Sequence, residues 1–185
     1  MFLVPSPIKA LYTHVIAPHG ITDVFHAHHT QNYRSLFTSY AGSMLVSAGL
    51  HQFHLDNLLW FGFCIASCFH FRHDLISIFP KVSPDLRHQL WITGSLLSIL
   101  IQQPNWFLIY MVLLHVPNHY RMAWKYTRPS WKALLASIAL VAFVCDTQYD
   151  YVLQNQHWDW IIGIVLGHIV YEEKCVHSRE SSLEF

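Results

Sequence analysis

His115 and His119, in the stretch HVPNH, stand four residues apart. On a helix that spacing puts two imidazoles on one face, where both can reach a single metal ion. Pro117 between them is expected to open or kink the turn. Three further histidines lie in, or at the ends of, apolar stretches: His19 in VIAPHGITD, His70 in FGFCIASCFHF and His168 in IIGIVLGHIVYE. Each is followed four positions later by an acid, respectively Asp23, Asp74 and Glu172. A metal-bound imidazole donates its other N–H to a carboxylate or carbonyl, which fixes the tautomer and raises its basicity. Chance placement of 15 histidines and 11 acids over 185 positions gives about one such pair. Two readings stay open for these residues: metal ligation, or histidines paired only with neighbouring carboxylates. Neutral imidazole suits iron, zinc, copper or nickel, so ligand type alone does not select the metal. At Fe(II), three or four imidazoles leave positions open for dioxygen and an oriented substrate.

The elements that must position these side chains are read from composition and periodicity. Only 12% of the chain is Asp, Glu, Lys or Arg, against 53% hydrophobic residues, where a soluble domain carries about 25% charge. Eleven basic residues balance eleven acids, so no net field draws nucleic acid or an acidic substrate. The apolar excess also excludes a disordered linker. Apolar runs over Leu36–Phe53, Leu58–Phe79, Leu90–Gln102, Trp106–Trp124, Trp131–Phe143 and Trp158–Tyr171 read as helices. Phe2–Ala17 is a seventh span or an interfacial helix; its Pro5, Pro7 and Lys9 are unlike a secretory signal. Ser130 and Asp85 are helix-start residues, and Pro80 and Pro104 fall between runs. The expected fold is therefore all-α: a polytopic integral membrane bundle of six to seven transmembrane helices. It forms a single domain over residues 1–185, with a histidine-rich core over about 18–172 and a tail over about 173–185.

The basic residues supply an independent test of that topology. If every run crosses, one face receives Arg34; Arg72, Lys81 and Arg87; Arg121, Lys125, Arg128 and Lys132; and Lys174 and Arg179. The opposite connections, around His51–Asn57, Gln102–Asn105 and Asp146–His157, contain no Lys or Arg. The positive-inside rule makes the basic face, with the C-terminus, cytoplasmic. Trp60, Trp91, Trp106, Trp131, Trp158 and Trp160 near run ends suit an interfacial belt. On this topology His19, His70, His115, His119 and His168 all approach the same side, at one depth. That is the condition for a single intramembrane site.

The other histidines read differently. His26, His28 and His29 fall in an expected loop; His51, His54, His88, His157 and His177 belong to connections or the tail. His14 is placed on the first segment's inner face, and His73 ranks below His70 as a ligand because it reaches into the basic loop. Cys64, Cys68, Cys145 and Cys175 form no CxxC pair and read as apolar packers. There is no GxSxG, no Gly-rich phosphate loop, no HExxH and no CxxCH. An apolar substrate entering from lipid needs none of these, and Phe, Tyr and Trp supply material for an aromatic groove.

Four segments together resemble the Brp/Blh family of membrane-embedded β-carotene 15,15′-dioxygenases. PHGITD (Pro18 to Asp23) is similar to the family's PHGxxD element. FHFRHD around His70, HVPNH with Arg121 following it, and LGHIVYE around His168 are similar to its later histidine segments. The resemblance runs from residue 18 to about 172. It implies a non-haem Fe(2+) centre liganded by His19, His70, His115 and His119; His168, Asp23, Asp74 and Glu172, from the i+4 pairing above, are secondary candidates. It also implies dioxygen-dependent cleavage of a carotenoid's central double bond, giving retinal from β-carotene. Alternatives remain. A diiron lipid desaturase or hydroxylase needs more histidine boxes than the one HxxxH present, and no HxxHH occurs. A non-enzymatic haem-binding or proton-relay membrane protein would use the same histidines.

Overall fold

The structure, a computed structural model, describes residues 10, 12–83, 85, 86, 89, 111–154 and 158–177. Among these the regular structure is entirely helical. The expected helix Leu90–Gln102, the start of Trp106–Trp124 and most of Phe2–Ala17 lie outside the described residues, as do His88, His157 and most of the tail.

Among the described residues there are six α-helices with defined bounds: α1 (Ile21–Thr30), α2 (Tyr33–Gln52), α3 (Asp56–Ile78), α4 (Val116–Thr127), α5 (Trp131–Gln154) and α6 (Trp158–Glu172). The loop expected around His26, His28 and His29 is instead α1. Asp23 in its first turn and His28 and His29 in its last complement the helix dipole. Gln31, left-handed at φ 55°, closes it with an N–H to the Ala27 and His28 carbonyls. Between α2 and α3, His54 turns the chain at φ 57° and His51 Nδ1 meets Asp56 Oδ1 at 2.7 Å. Helix α3 stops at Phe79, the residue before Pro80, where proline's ring disfavours helical backbone. Arg128, left-handed at φ 42°, and Pro129 after it end α4. The Ser130 carbonyl accepts the Leu134 N–H at 2.9 Å, the bond a helix-start residue makes.

Among the described residues three single π-helical turns interrupt this regularity: Tyr12–Ile16, Met111–His115 and Glu173–His177. Pro117 does not kink a continuous helix between the two paired histidines. It sits in the first turn of α4, directly after the Met111–His115 π turn, where its missing N–H costs least. The helix expected over Trp106–Trp124 thus changes from π to α winding within its described part.

The chain clusters into two compact units. One comprises Met1–Tyr33 and Tyr110–Trp158, the other Arg34–Ile109 and Asp159–Phe185. In the first, α5 packs on the π turn Tyr12–Ile16 and on the 3-10 turn Ala17–Gly20, while α1 packs on α4. In the second, α6 lies close against α2. A Cβ built on Gly163 would stand 2.9 Å from the Met44 Cα, and one on Gly167 2.7 Å from the Tyr40 Cα. Gly163 and Gly167 are a GxxxG pair, the spacing that lets two helix backbones approach. Tyr40, Met44 and Ser47 recur at helical intervals on the facing side of α2.

More polar or charged side chains are buried than apolar ones among the described residues, including His19, Asp23, His70, Asp74, His115, His119, Asp159, His168 and Glu172. Phe37, Leu45, Phe53, Leu113, Leu140 and Phe143 are each more than 60% exposed. Only in α5 does a described helix combine the length and apolarity to cross a membrane, over Trp131–Gln148 at mean hydropathy 1.3.

Candidate metal centre

In the first unit, three histidines converge. His19 comes from the 3-10 turn Ala17–Gly20, His115 from the end of the π turn and His119 from α4. Their ring centres lie 5.2 Å apart for His19 with His115, 5.2 Å for His19 with His119, and 4.2 Å for His115 with His119. All three are buried. A nitrogen of His115 and one of His119 lie within 4.8 Å of each other. An imidazole bound through one nitrogen at about 2.1 Å has its ring centre about 3 Å from the metal. Ring centres sharing an ion therefore fall up to about 6 Å apart, and all three pairs are inside that limit.

Local structure fixes His19 in particular. Its Nδ1–H donates to the Ile16 carbonyl, which leaves the Nε2 lone pair as the one available for coordination. Thr22 Oγ1 donates to the His19 carbonyl at 2.8 Å, so the backbone on the other side is held too. Asp23, the acid expected to serve His19, is buried in the first turn of α1. The carbonyl of Ile16 takes the orienting role that the sequence assigned to a carboxylate. Asn118, between the paired histidines, is buried and accepts a hydrogen bond from Arg121 Nη2 at 3.1 Å.

In the second unit, His70 on α3 and His168 on α6 stand edge to face, with ring centres 5.4 Å apart. A nitrogen of each lies within 4.8 Å of the other. Glu172 Oε2 lies 3.8 Å from His70 Nε2, and Glu173 Oε1 lies 3.7 Å from His70 Nδ1. The i+4 rule pointed His70 at Asp74, which is buried one turn further along α3. The flanking carboxylates from α6 and the turn after it, about a hundred positions away, have no signal in local spacing. Glu173 also meets His73 Nε2 at 3.2 Å and accepts from Arg72 Nη2 at 3.4 Å. His73 is thus engaged in that rim of charge. A Glu172 oxygen and a His168 nitrogen are within 4.8 Å, as the i+4 spacing anticipated.

His14, placed on an inner face by the sequence, is exposed, and its Nδ1 meets Thr13 Oγ1 at 2.6 Å. It follows buried Thr13 at once, and consecutive side chains on a helical turn do not share a face. His28 and Tyr33 form a side-chain hydrogen bond on the exposed side of α1. All four cysteines are free thiols. The GxxxG pair was missed by the sequence reading although its signal, two glycines four apart in an apolar run, was present.

The donor set fits a metal. Buried imidazoles with carboxylates beside them can hold a first-row divalent ion such as Fe, Zn, Cu or Ni. No family model matches the chain, and no curated protein or solved structure is similar to it.

Proposed function

We propose that this chain is a multi-pass integral membrane oxygenase that uses iron and dioxygen to cleave a carotenoid, β-carotene to retinal being the reaction its motifs fit. The observation that carries the reading is the convergence of buried His19, His115 and His119 in a chain whose exposed surface is rich in large apolar side chains. Buried polar groups inside an apolar exterior suit a lipid solvent, where intramembrane ionisable residues are costly and mark functional sites. Helices α2 and α3, with 20 and 23 residues, have the length for a hydrocarbon core about 30 Å thick. The sorting of Lys and Arg supports cytoplasmic placement of the basic connections and the C-terminus. His70 joins the ligand set on the strength of its motif, which is similar to the family's second histidine segment.

Iron(II) would supply the activation of dioxygen for cleavage of the central carbon–carbon double bond. The balance is one polyene plus one dioxygen to two aldehydes, with no proton taken up or released. The chain's own tasks follow from that balance. Neutral imidazoles hold and orient, and the Ile16 carbonyl keeps His19 in the tautomer that presents Nε2. The apolar surroundings exclude water and admit a polyene from lipid. Expression in β-carotene-producing cells tests the reading. Loss of colour with accumulation of retinal supports it; unchanged pigment beside folded, iron-loaded protein overturns it.

A further inference from the structure

The ligand set implied by the family resemblance leaves out His168. We infer that His168 and His70 together bind a divalent metal ion such as iron, with Glu172 as their positioning residue; this rests on the reading above that buried imidazoles of this chain hold metal. His168 is only 4% exposed and its ring meets that of His70 edge to face at 5.4 Å. Two nitrogens bound to one ion at about 2.1 Å stand at most about 4.2 Å apart. The separation within 4.8 Å found for His70 and His168 leaves only side-chain adjustment to reach that value.

Its depth is set by backbone packing. Gly163 and Gly167 bring α6 into direct contact with α2, so the residue after Gly167 has little freedom to slide or turn. A histidine held this rigidly loses little entropy on binding a metal. Glu172, one turn along α6 and 5% exposed, has a carboxylate oxygen within 4.8 Å of a His168 nitrogen and 3.8 Å from His70 Nε2. Neutral imidazoles leave the two positive charges of a divalent ion uncompensated in a buried site. A carboxylate beside two of the rings offsets that charge and raises the basicity of the imidazole it faces.

The test uses the full chain in detergent, stripped of metal and titrated with Fe(2+), with folding of each variant checked by circular dichroism. X-ray absorption at the iron edge counts bound imidazoles. His168→Ala is expected to weaken iron about 10–100-fold or more and to remove one imidazole from the count. His168→Gly with added free imidazole should recover both, which a merely packing role would not. Glu172→Gln should keep the imidazole count while weakening iron by about 10–100-fold. Native affinity and an unchanged count in folded His168→Ala overturn the inference. If His115→Ala/His119→Ala releases iron while His168→Ala does not, this inference alone fails. If wild-type protein binds no iron, it falls together with the metal reading. Iron bound through His168 without carotenoid cleavage upholds it while the oxygenase reading fails.

Discussion

Replacing Gly167 with alanine places a methyl group where α6 and α2 touch. The added Cβ would lie 2.7 Å from the Tyr40 Cα and 3.0 and 3.1 Å from two Tyr40 ring carbons. Non-bonded carbons rest about 3.5–4.0 Å apart, so the backbones must separate locally by about 1 Å. The two ring contacts can relax by rotating Tyr40, but the backbone contact cannot. Overpacking of this kind costs about 1–3 kcal/mol. Because His168 is the next residue, the same shift displaces its ring relative to His70, and a displacement near 1 Å at a reacting centre costs about 100-fold in rate. Gly62→Ala is the control, since a Cβ there meets nothing within 4 Å. It should stabilise α3 by about 1 kcal/mol through helix propensity. Chemical unfolding in detergent, with iron content measured in parallel, should therefore move in opposite directions for the two variants. Gly167→Ala as stable as Gly62→Ala, with iron undiminished, would refute the close-packed α2–α6 contact as the element that sets His168.

Other outcomes follow from local features. The hydrogen bond His51 donates to Asp56 pushes the pKa of His51 above its ordinary value, with the charges of Asp56 and Asp159 adding to the rise. The contribution of that pair is full below a pH of about 6.5 and is lost as pH rises through the raised value. Titration of His51 followed by NMR should show the raised midpoint, and Asp56→Asn should bring it down; an unmoved midpoint would remove the pair from the account. Arg128→Gly should stabilise the protein by about 0.5–1 kcal/mol, because glycine accepts the left-handed backbone at φ 42° without the penalty an L side chain carries. Equilibrium unfolding checks this, and a loss of stability would contradict it. Glu173→Gln should weaken the links to Arg72 and His73 and, because its carboxylate also flanks His70, lower iron affinity in a metal titration; undiminished affinity would remove Glu173 from the account.

The parts of this architecture legible in the sequence are those set by short-range periodicity. The His115–His119 pair needs only the helical repeat, and the long helices need only unbroken apolar runs between prolines. Helix α1 escaped because its run of histidines resembles a polar connection; the acid at its start and the left-handed Gln31 at its end are what hold it as a helix. The π turns have no spacing rule, so the wide turn Met111–His115 is legible only as the opened or kinked turn expected beside Pro117. His70 shows the limit most clearly. Local spacing offered Asp74, while Glu172 and Glu173 reach the ring from α6 and the turn beyond it, a contact only tertiary packing can make. The GxxxG pair is legible as two glycines four apart in an apolar run, but which helix it meets is set only by tertiary packing.

The central claim is that imidazoles of this chain bind one iron ion inside an apolar protein. Metal analysis of detergent-purified wild-type chain beside the His115→Ala/His119→Ala variant tests it most directly. The account predicts one iron per chain in the first and essentially none in the second, with both folded. A folded wild-type chain that binds no iron, or a variant that keeps its full share, would contradict it.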